Sequence, residues 1–329
     1  MDEASVSLVG VVIIGRNEGA RLVKCFDSVQ EKVNSVVYVD SGSTDDSVTM
    51  SKSRGINTLE LNVSTPFTAA RARNEGFKRL IQLQPDLHYV QFIDGDCEVV
   101  DGWLKSATSF LRRNNEVAVV FGRLRERYPD QSFYNMLCDI EWDTPVGESK
   151  SCGGNAMMKV SAFKQVGGFK QNLIAGEEPE LCIRLRKKSW KVWRIDCEMM
   201  LHDAAMTRLS QWWKRSVRGG YSFAEGAFLH GNSLERHRIT ESRRSLIWGL
   251  LIPFVIVIMS SLYTPWALCF LFIYPLQVVR LAMRGRRTAR ENWIYAFFLV
   301  LGKFPEAIGH IKFQLNRLFN RKIKIIEYK

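Results

Sequence analysis

Asp94, Gly95 and Asp96 close the apolar stretch Tyr89 to Ile93, so two carboxylates stand one glycine apart at the end of a β-type run. There, one carboxylate can hold a divalent cation while the other meets a ribose or fills a second ligand position. Hard oxygen ligands beside a diphosphate suit Mg2+ or Mn2+, because the cation offsets negative charge on the phosphates and on a departing nucleotide. A solvated turn uses the same residue types, so the triplet alone does not choose between the two.

Its context is more specific. The segments VVIIGRNEG (11–19), VVYVDSGSTDD (36–46), AARARNEG (69–76), QFIDGDCEV (91–99), CGGNAMM (152–158) and AGEEPELCIRLR (175–186) follow one another in that order. With these motifs the chain resembles the family 2 glycosyltransferases of the GT-A fold, over roughly residues 6–230. The resemblance implies an α/β fold with a Rossmann-like, mostly parallel open sheet, a nucleotide-sugar donor and a Mn2+ or Mg2+ cofactor. Carried over by motif, Asn17, Glu18, Asp40 and Ser41 contact the nucleoside, typically uridine. Arg73 and Asn74 lie near the donor, and Asp94 faces the ribose or the metal. Asp96 binds the metal, and Gly153, Gly154 and Asn155 bring backbone close to the donor sugar. His202 corresponds to the third metal or diphosphate contact of some members. Each of these residues also has a plainer reading. Asp40 and Asp45 suit a turn and cap before the helix that begins near Asp46, Arg73 suits a solvated helix face, the glycines suit a tight turn, and His202 suits a locally satisfied histidine.

An inverting transfer needs a base for the acceptor hydroxyl, and a carboxylate on the acceptor side fits that task. Glu178 is the candidate, with Glu177 as the alternative. The family usually carries Glu-Asp at this point, whereas the string here is Glu177, Glu178, Pro179, Glu180 and Leu181. Glutamate keeps the carboxylate but extends it by one methylene, which shifts where its oxygens can work. Acids and a proline equally suit a helical first turn. Gln211, Trp212, Trp213, Lys214 and Arg215 resemble the QxxRW element of processive members, in which an aromatic ring stacks on the acceptor and a cation approaches the diphosphate. The order QWWKR departs from it and favours addition of one or a few sugars. Trp212 and Trp213 serve equally well as interfacial anchors, and Arg215 as a contact to lipid phosphate.

Alternating elements must position these groups. Val6 to Ile14 is an apolar β-branched run of the kind buried on both faces of a sheet, followed by a helix over Ala20 to Val29. Strand patterns at Val36 to Val39, Thr58 to Asn62, Tyr89 to Ile93 and Val117 to Gly122 alternate with helical ones at Ser47 to Arg54, Ala69 to Gln82 and Trp103 to Arg112. This βα alternation gathers ligands at the carboxyl ends of the strands. The catalytic domain is expected over residues 1–235 and a membrane-associated helical region over 236–329.

In that second region Ser245 to Leu262 is free of charge, and Trp266 to Val279 is a second apolar stretch. Their lengths suit spanning or re-entrant helices. Trp293 to Phe304 is short for a crossing, and Ile308 to Ile326 reads as interfacial. The chain is 46% hydrophobic with net charge +12, and residues 236–329 alone hold 16 basic and 4 acidic residues, which accounts for the whole excess. Charge placed beside apolar helices points to anionic membrane lipid as the partner, not nucleic acid. Seven scattered cysteines without a CxxC pair read as free thiols. The acidic start MDEASVSLVG lacks a basic segment and a secretory apolar core, so the catalytic domain is expected on the cytoplasmic side of a bacterial-type inner membrane. A lipid-linked or glycan acceptor follows from the resemblance and the tail together. Three other functions stay open: transfer to a polyprenyl phosphate, nucleotidyl transfer, and an inactive nucleotide-binding sensor or scaffold.

Overall fold

The computed structural model of the protein describes residues 8–62, 64–65 and 67–320. Val6 and Ser7 of the expected first strand and residues 321–326 of the expected last helix lie outside them. The chain forms two compact units. One runs to Leu173 and resumes over Glu177–Ala205, and the other takes Ile174–Gly176 and everything from Met206 onward. The expected boundary near residue 235 falls inside the second unit, where residues 209–230 pack against the last long helix.

In the first unit, β1 (Val9–Gly15), α1 (Ala20–Asp27), β2 (Ser35–Asp40), α2 (Ser47–Ser53), β3 (Asn57–Glu60), α3 (Ala69–Leu83) and β4 (Tyr89–Asp94) alternate as the sequence pattern requires. β5 (Cys97–Val99), α4 (Trp103–Arg113), β6 (Val117–Glu126), α5 (Phe133–Trp142), β7 (Gly147–Glu148), β8 (Ala156–Lys159), α6 (Val160–Gln165), α7 (Glu177–Arg186) and β9 (Lys191–His202) follow. The strand order is β3-β2-β1-β4-β8-β6-β9-β5, with β7 paired to β9. From β3 to β4 the strands are parallel. Beyond β4 the sheet is mixed: β8 runs antiparallel to both β4 and β6, and β5 runs antiparallel to β9.

Val9 to Ile14 is buried throughout, as a central strand covered on both faces must be. Gly76 of α3 is needed for that packing, since a Cβ there would stand 2.4 Å from Val12 Cγ1. Phe77, Phe92, Phe163 and Phe169 interlock edge to face or tilted, with centroids 4.6–5.3 Å apart, and each such side chain adds about 1.5–3 kcal/mol by burial. Thr68 caps α3 by accepting from the Arg71 amide at 3.0 Å. Parallel register then aligns Gly15 with Asp40 and Ile14 with Asp94, so three strand ends carry the chemistry side by side.

In the second unit, α8 (Leu209–His230) precedes three helices long and apolar enough to cross a membrane: Ile239–Leu262, Pro265–Arg284 and Ala289–Leu318, whose apolar 18-residue stretches have mean hydropathies of 2.3, 1.7 and 1.3. Phe254, Val257, Leu262, Trp266, Phe270, Phe272 and Leu276 are exposed on the first two, the surface a helix presents to lipid rather than water. The third helix runs on through the segments expected to be separate.

Glycines let the backbones of this unit meet. A Cβ on Gly220 of α8 would lie 2.0 Å from the Glu306 carbonyl oxygen, and one on Gly309 would lie 2.0 Å from that of Val217. Small residues at a helix crossing permit this approach. Gly219, next along α8, has nothing within 4 Å of the same added atom. Gly220→Ala is therefore expected to destabilise the second unit by about 1–3 kcal/mol through overpacking. Gly219→Ala should stabilise it by up to about 1 kcal/mol through helix propensity. Thermal unfolding of the two variants in the same detergent checks the pair, and equal shifts would contradict the close crossing.

Candidate active site

At the ends of β1 and β2, Asp40 organises the following loop. Its carboxylate accepts from Tyr38 Oη at 2.9 Å, the Gly42 amide at 2.9 Å, the Ser43 amide at 2.7 Å and Ser43 Oγ at 2.5 Å. Burial, reinforced by the Asp40 charge, pushes the Tyr38 phenol well above its ordinary range, so it stays a donor. Asn17, in a left-handed conformation at φ 56°, latches the loop: its amide donates to Ser43 Oγ at 2.9 Å and its Oδ1 accepts from the Thr44 amide at 2.7 Å. Ser41 donates its amide to the Gly15 carbonyl at 3.0 Å. Glu18 pairs with Arg21 at 2.8 Å. Asp45 accepts from the Gly19 and Ser47 amides, which gives it the local turn role. Asn17, Glu18, Asp40 and Ser41 thus meet around one loop, and Asp40 shapes its backbone from within.

Arg73 lies at the centre of a second group. Its side chain is only 3% exposed, and its guanidinium donates to Asp94 Oδ1 at 2.8 Å, Glu177 Oε1 at 3.0 Å and Glu178 Oε1 at 2.8 Å. The phenyl ring of Phe169 lies 5.6 Å below the cation. Gly154 is required beside it, because a Cβ there would fall 2.1 Å from Arg73 Nη2. Asn155 fixes Asp94 by accepting from its amide at 2.9 Å, and its Nδ2 lies 3.4 Å from Asp94 Oδ2. Asn74 turns elsewhere. It exchanges two hydrogen bonds with the Phe169 backbone, at 2.7 and 2.9 Å, and so clamps the wall of the group without joining it.

Three carboxylates around one cation leave excess negative charge in a site of low exposure. Burial first, and Glu177 next, push the Glu178 carboxyl up to about 7 against the opposing pull of Arg73. Burial weighs against the Arg73 charge, yet Asp94, Glu178 and Glu177 together hold its proton more tightly than usual. Glu177 is 4% exposed and Glu178 14%, so Glu178 is the more accessible of the two base candidates. Glu180 is taken by Arg184, its Oε2 2.7 Å from Arg184 Nη2.

The third group comes from strand register. His202 of β9 stands opposite Cys97 of β5 on one side and opposite Glu126 of β6 on the other. Its Nε2 is 3.4 Å from Asp96 Oδ2 and its Nδ1 is 3.4 Å from Glu126 Oε2. Trp142 packs edge-on to the imidazole at 4.6 Å. Glu126 is fully buried and accepts from the Ala204 amide at 3.0 Å. Oxygen, sulfur and nitrogen atoms of Asp96, Cys97 and His202 lie within 4.8 Å of one another. Burial, and then the Asp94 charge, push the Cys97 thiol well above its ordinary value, and soft sulfur is a poor match for a hard cation such as Mn2+ or Mg2+. A carboxylate and an imidazole therefore remain to hold an ion such as Mn2+, and Glu126 behind Nδ1 fixes the ring as second carboxylates do at metal sites. The donor set fits the expected metal.

Sequence reading missed Glu126, since its strand was followed only as far as Gly122 and its partner is 76 residues away. A carboxylate at the continuation of that strand, GRLRE, is the signal that marks it. Trp212, Trp213 and Arg215 belong to the second unit. Trp212 is buried against Phe298, with ring centroids 4.9 Å apart, and Gln211 caps α8 by accepting from the Thr207 and Arg208 amides. Trp213 and Arg215 stay partly exposed.

Comparison with known proteins agrees with this architecture. The model of glycosyl transferase family 2 matches residues 10–167, and that of the N-terminal domain of galactosyltransferase matches residues 136–208. The mannosyltransferase PcManGT from Pyrobaculum calidifontis, solved in complex with GDP-Man and Mn2+, superposes with a TM-score of 0.56 at 18% identity, covering 97% of this chain and 89% of that one. It shares the fold. The succinoglycan biosynthesis protein ExoA of Rhizobium meliloti (strain 1021) is 30% identical over 69 residues, which is 21% of this chain and about a fifth of that protein's length. The fold is the GT-A fold of glycosyltransferases. Residues 10–167 carry the match to glycosyl transferase family 2.

A raised folded-state pKa for Glu178 has a consequence for stability. The contribution is fully present below the unfolded value of 4.5 and is lost as pH rises through about 7. The melting temperature of Glu178→Gln should therefore gain on that of the native chain between pH 5 and pH 8. A difference that stays constant across this range, by scanning calorimetry in one detergent, would contradict the raised value.

Proposed function

We propose that the protein is an inverting glycosyltransferase that moves a sugar from a nucleoside-diphosphate sugar to a lipid-linked or membrane-proximal glycan acceptor. The observation that carries this reading is the Arg73 group, which holds a carboxylate with a pKa of about 7 beside the Asp94 and Asp96 strand end. In the proposed reaction the acceptor hydroxyl oxygen attacks the anomeric carbon and its proton passes to Glu178. The bond from that carbon to the diphosphate oxygen breaks, the nucleoside diphosphate leaves, and configuration inverts in the single displacement. Asn17, Glu18, Asp40 and Ser41 supply the loop for the nucleoside, and Asp94 meets its ribose or the ion. Gly154 and Asn155 border the donor sugar, while Arg73 and Asn74 hold the surrounding wall. Asp96 and His202 would hold Mn2+ or Mg2+, which when bound offsets charge on the leaving diphosphate.

The base of the donor is proposed to be uridine from the motif pattern, and the GDP-Man held by the fold neighbour makes guanosine the first alternative to test. A role in polysaccharide synthesis is supported by the matching Rhizobium protein, which serves succinoglycan biosynthesis. The apolar helices support attachment to a membrane, with the catalytic domain on the cytoplasmic side and anionic lipid around the basic tail.

Release of nucleoside diphosphate from a panel of UDP- and GDP-sugars, with membrane lipid extract and either Mn2+ or EDTA, tests this function. One donor is expected to be consumed only with metal and with Asp96 intact. Glu178→Gln should lower kcat by about 10²–10⁴-fold. Because the base must be unprotonated, kcat/KM should rise with pH through about 7 in the native enzyme and lose that limb in the variant. Full activity of Glu178→Gln would point instead to a phosphate acceptor, which needs no base. Donor binding without turnover would support the sensor reading. Glu126→Gln should weaken Mn2+ binding by about 10–100-fold, read from free Mn2+ by electron paramagnetic resonance without any turnover. Unchanged affinity would remove Glu126 from the site.

A further inference from the structure

The second unit carries a half-open cavity of about 400 Å3. Arg244 of the first long helix, Arg280 and Arg284 of the second and Lys303 of the third all line it. Trp248, Leu299 and Val300 form apolar walls between them. The first two helices are tied by a hydrogen bond from Tyr274 Oη to the Trp248 carbonyl at 2.6 Å. Arg244 lies near the start of one and Arg284 at the end of the other, so the cations gather at the end of the pair away from its connecting turn.

Charge accounting separates this cavity from an ordinary basic membrane flank. Lys303 has a carboxylate partner, Glu306 at 2.6 Å, which also accepts from Ser245 Oγ at 2.8 Å. Among the described residues, Arg244, Arg280 and Arg284 have none, and no carboxylate lines the cavity. A flank that only orients helices needs cations at their ends, but it does not need cations from three helices to converge on one space with an indole and two aliphatic walls. Guanidinium groups match phosphate oxygens with paired donors, and the apolar walls suit the first carbons of a chain. We infer that this cavity binds the phosphomonoester head of an anionic lipid, with the lipid's chain lying along Trp248, Leu299 and Val300.

The inference concerns binding and does not rest on glycosyl transfer. The test uses the full chain in a neutral maltoside detergent without nucleotide sugar, with lysophosphatidic acid as the probe and native mass spectrometry as the readout. One lipid per protein is expected to be retained. Lysophosphatidylcholine, which has the same chain but a choline-capped phosphate, should bind about tenfold more weakly, since it loses charge-assisted contacts. Arg280→Gln combined with Arg284→Gln should weaken lysophosphatidic acid by about tenfold or more. Arg286→Gln with Arg287→Gln, just past the same helix end but outside the cavity, should change it less than about twofold. Asp96→Ala, which removes the proposed metal ligand, should bind the lipid as the native chain does. Equal binding of the two lipids, or equal weakening by the two double variants, would overturn the site. Displacement of the lipid by an equal concentration of inorganic phosphate would show a site for free anion and overturn the lipid assignment.

Discussion

The candidate site depends on one buried guanidinium. Arg73 leaves α3 and draws Asp94 from the end of β4 together with Glu177 and Glu178 from the start of α7, three carboxylates that would otherwise repel one another in a place with little water. Removing the guanidinium from such a buried cluster costs about 3–5 kcal/mol, because the carboxylates then lose their compensation. The cluster also fixes geometry. Gly154 has no room for a side chain beside the guanidinium, and Asn155 holds Asp94 by its backbone, so the glycine loop, the strand end and the α7 acids are located by the same cation.

The two groups flanking it are built differently. Around Asp40 the carboxylate spends its acceptors on the loop that follows, so the loop's shape is set before any ligand arrives. Around His202 the neighbours are supplied by strand pairing, and the buried Glu126 gives the imidazole a fixed orientation. Preorganisation of this kind lowers the cost of reorganising dipoles during a reaction.

Much of the fold was legible because its signals are local. The parallel half of the sheet follows from apolar runs bounded by turn residues, and the observed strands β1 to β4 differ from the expected ones mainly at their ends. The mixed half was less legible. β8 and β9 lie beyond the last strand the pattern identified, and their directions depend on long connections that periodicity does not encode. Asp94, Asp96, Glu178 and His202 stood out as residue types in the right order, yet the Arg73 contacts link positions 21, 104 and 105 residues apart, and such closures are invisible to spacing. The third long helix covers two segments that read separately in the sequence, because Trp293 to Phe304 is short for a crossing and the run around and after its end carries charge at Lys303, Glu306 and Lys312. The Lys303–Glu306 pair and the Ser245 hydroxyl satisfy two of those charges within the unit, so the helix continues.

The alignment of Cys97, His202 and Glu126 across three neighbouring strands has one more consequence. Side chains alternate faces along a strand, so a slip of β9 by a single residue would carry the imidazole to the opposite face of the sheet and away from Asp96 and Glu126 at once. A molecule whose β9 has settled in the wrong frame therefore lacks the imidazole at this corner, instead of offering a weakened copy of it.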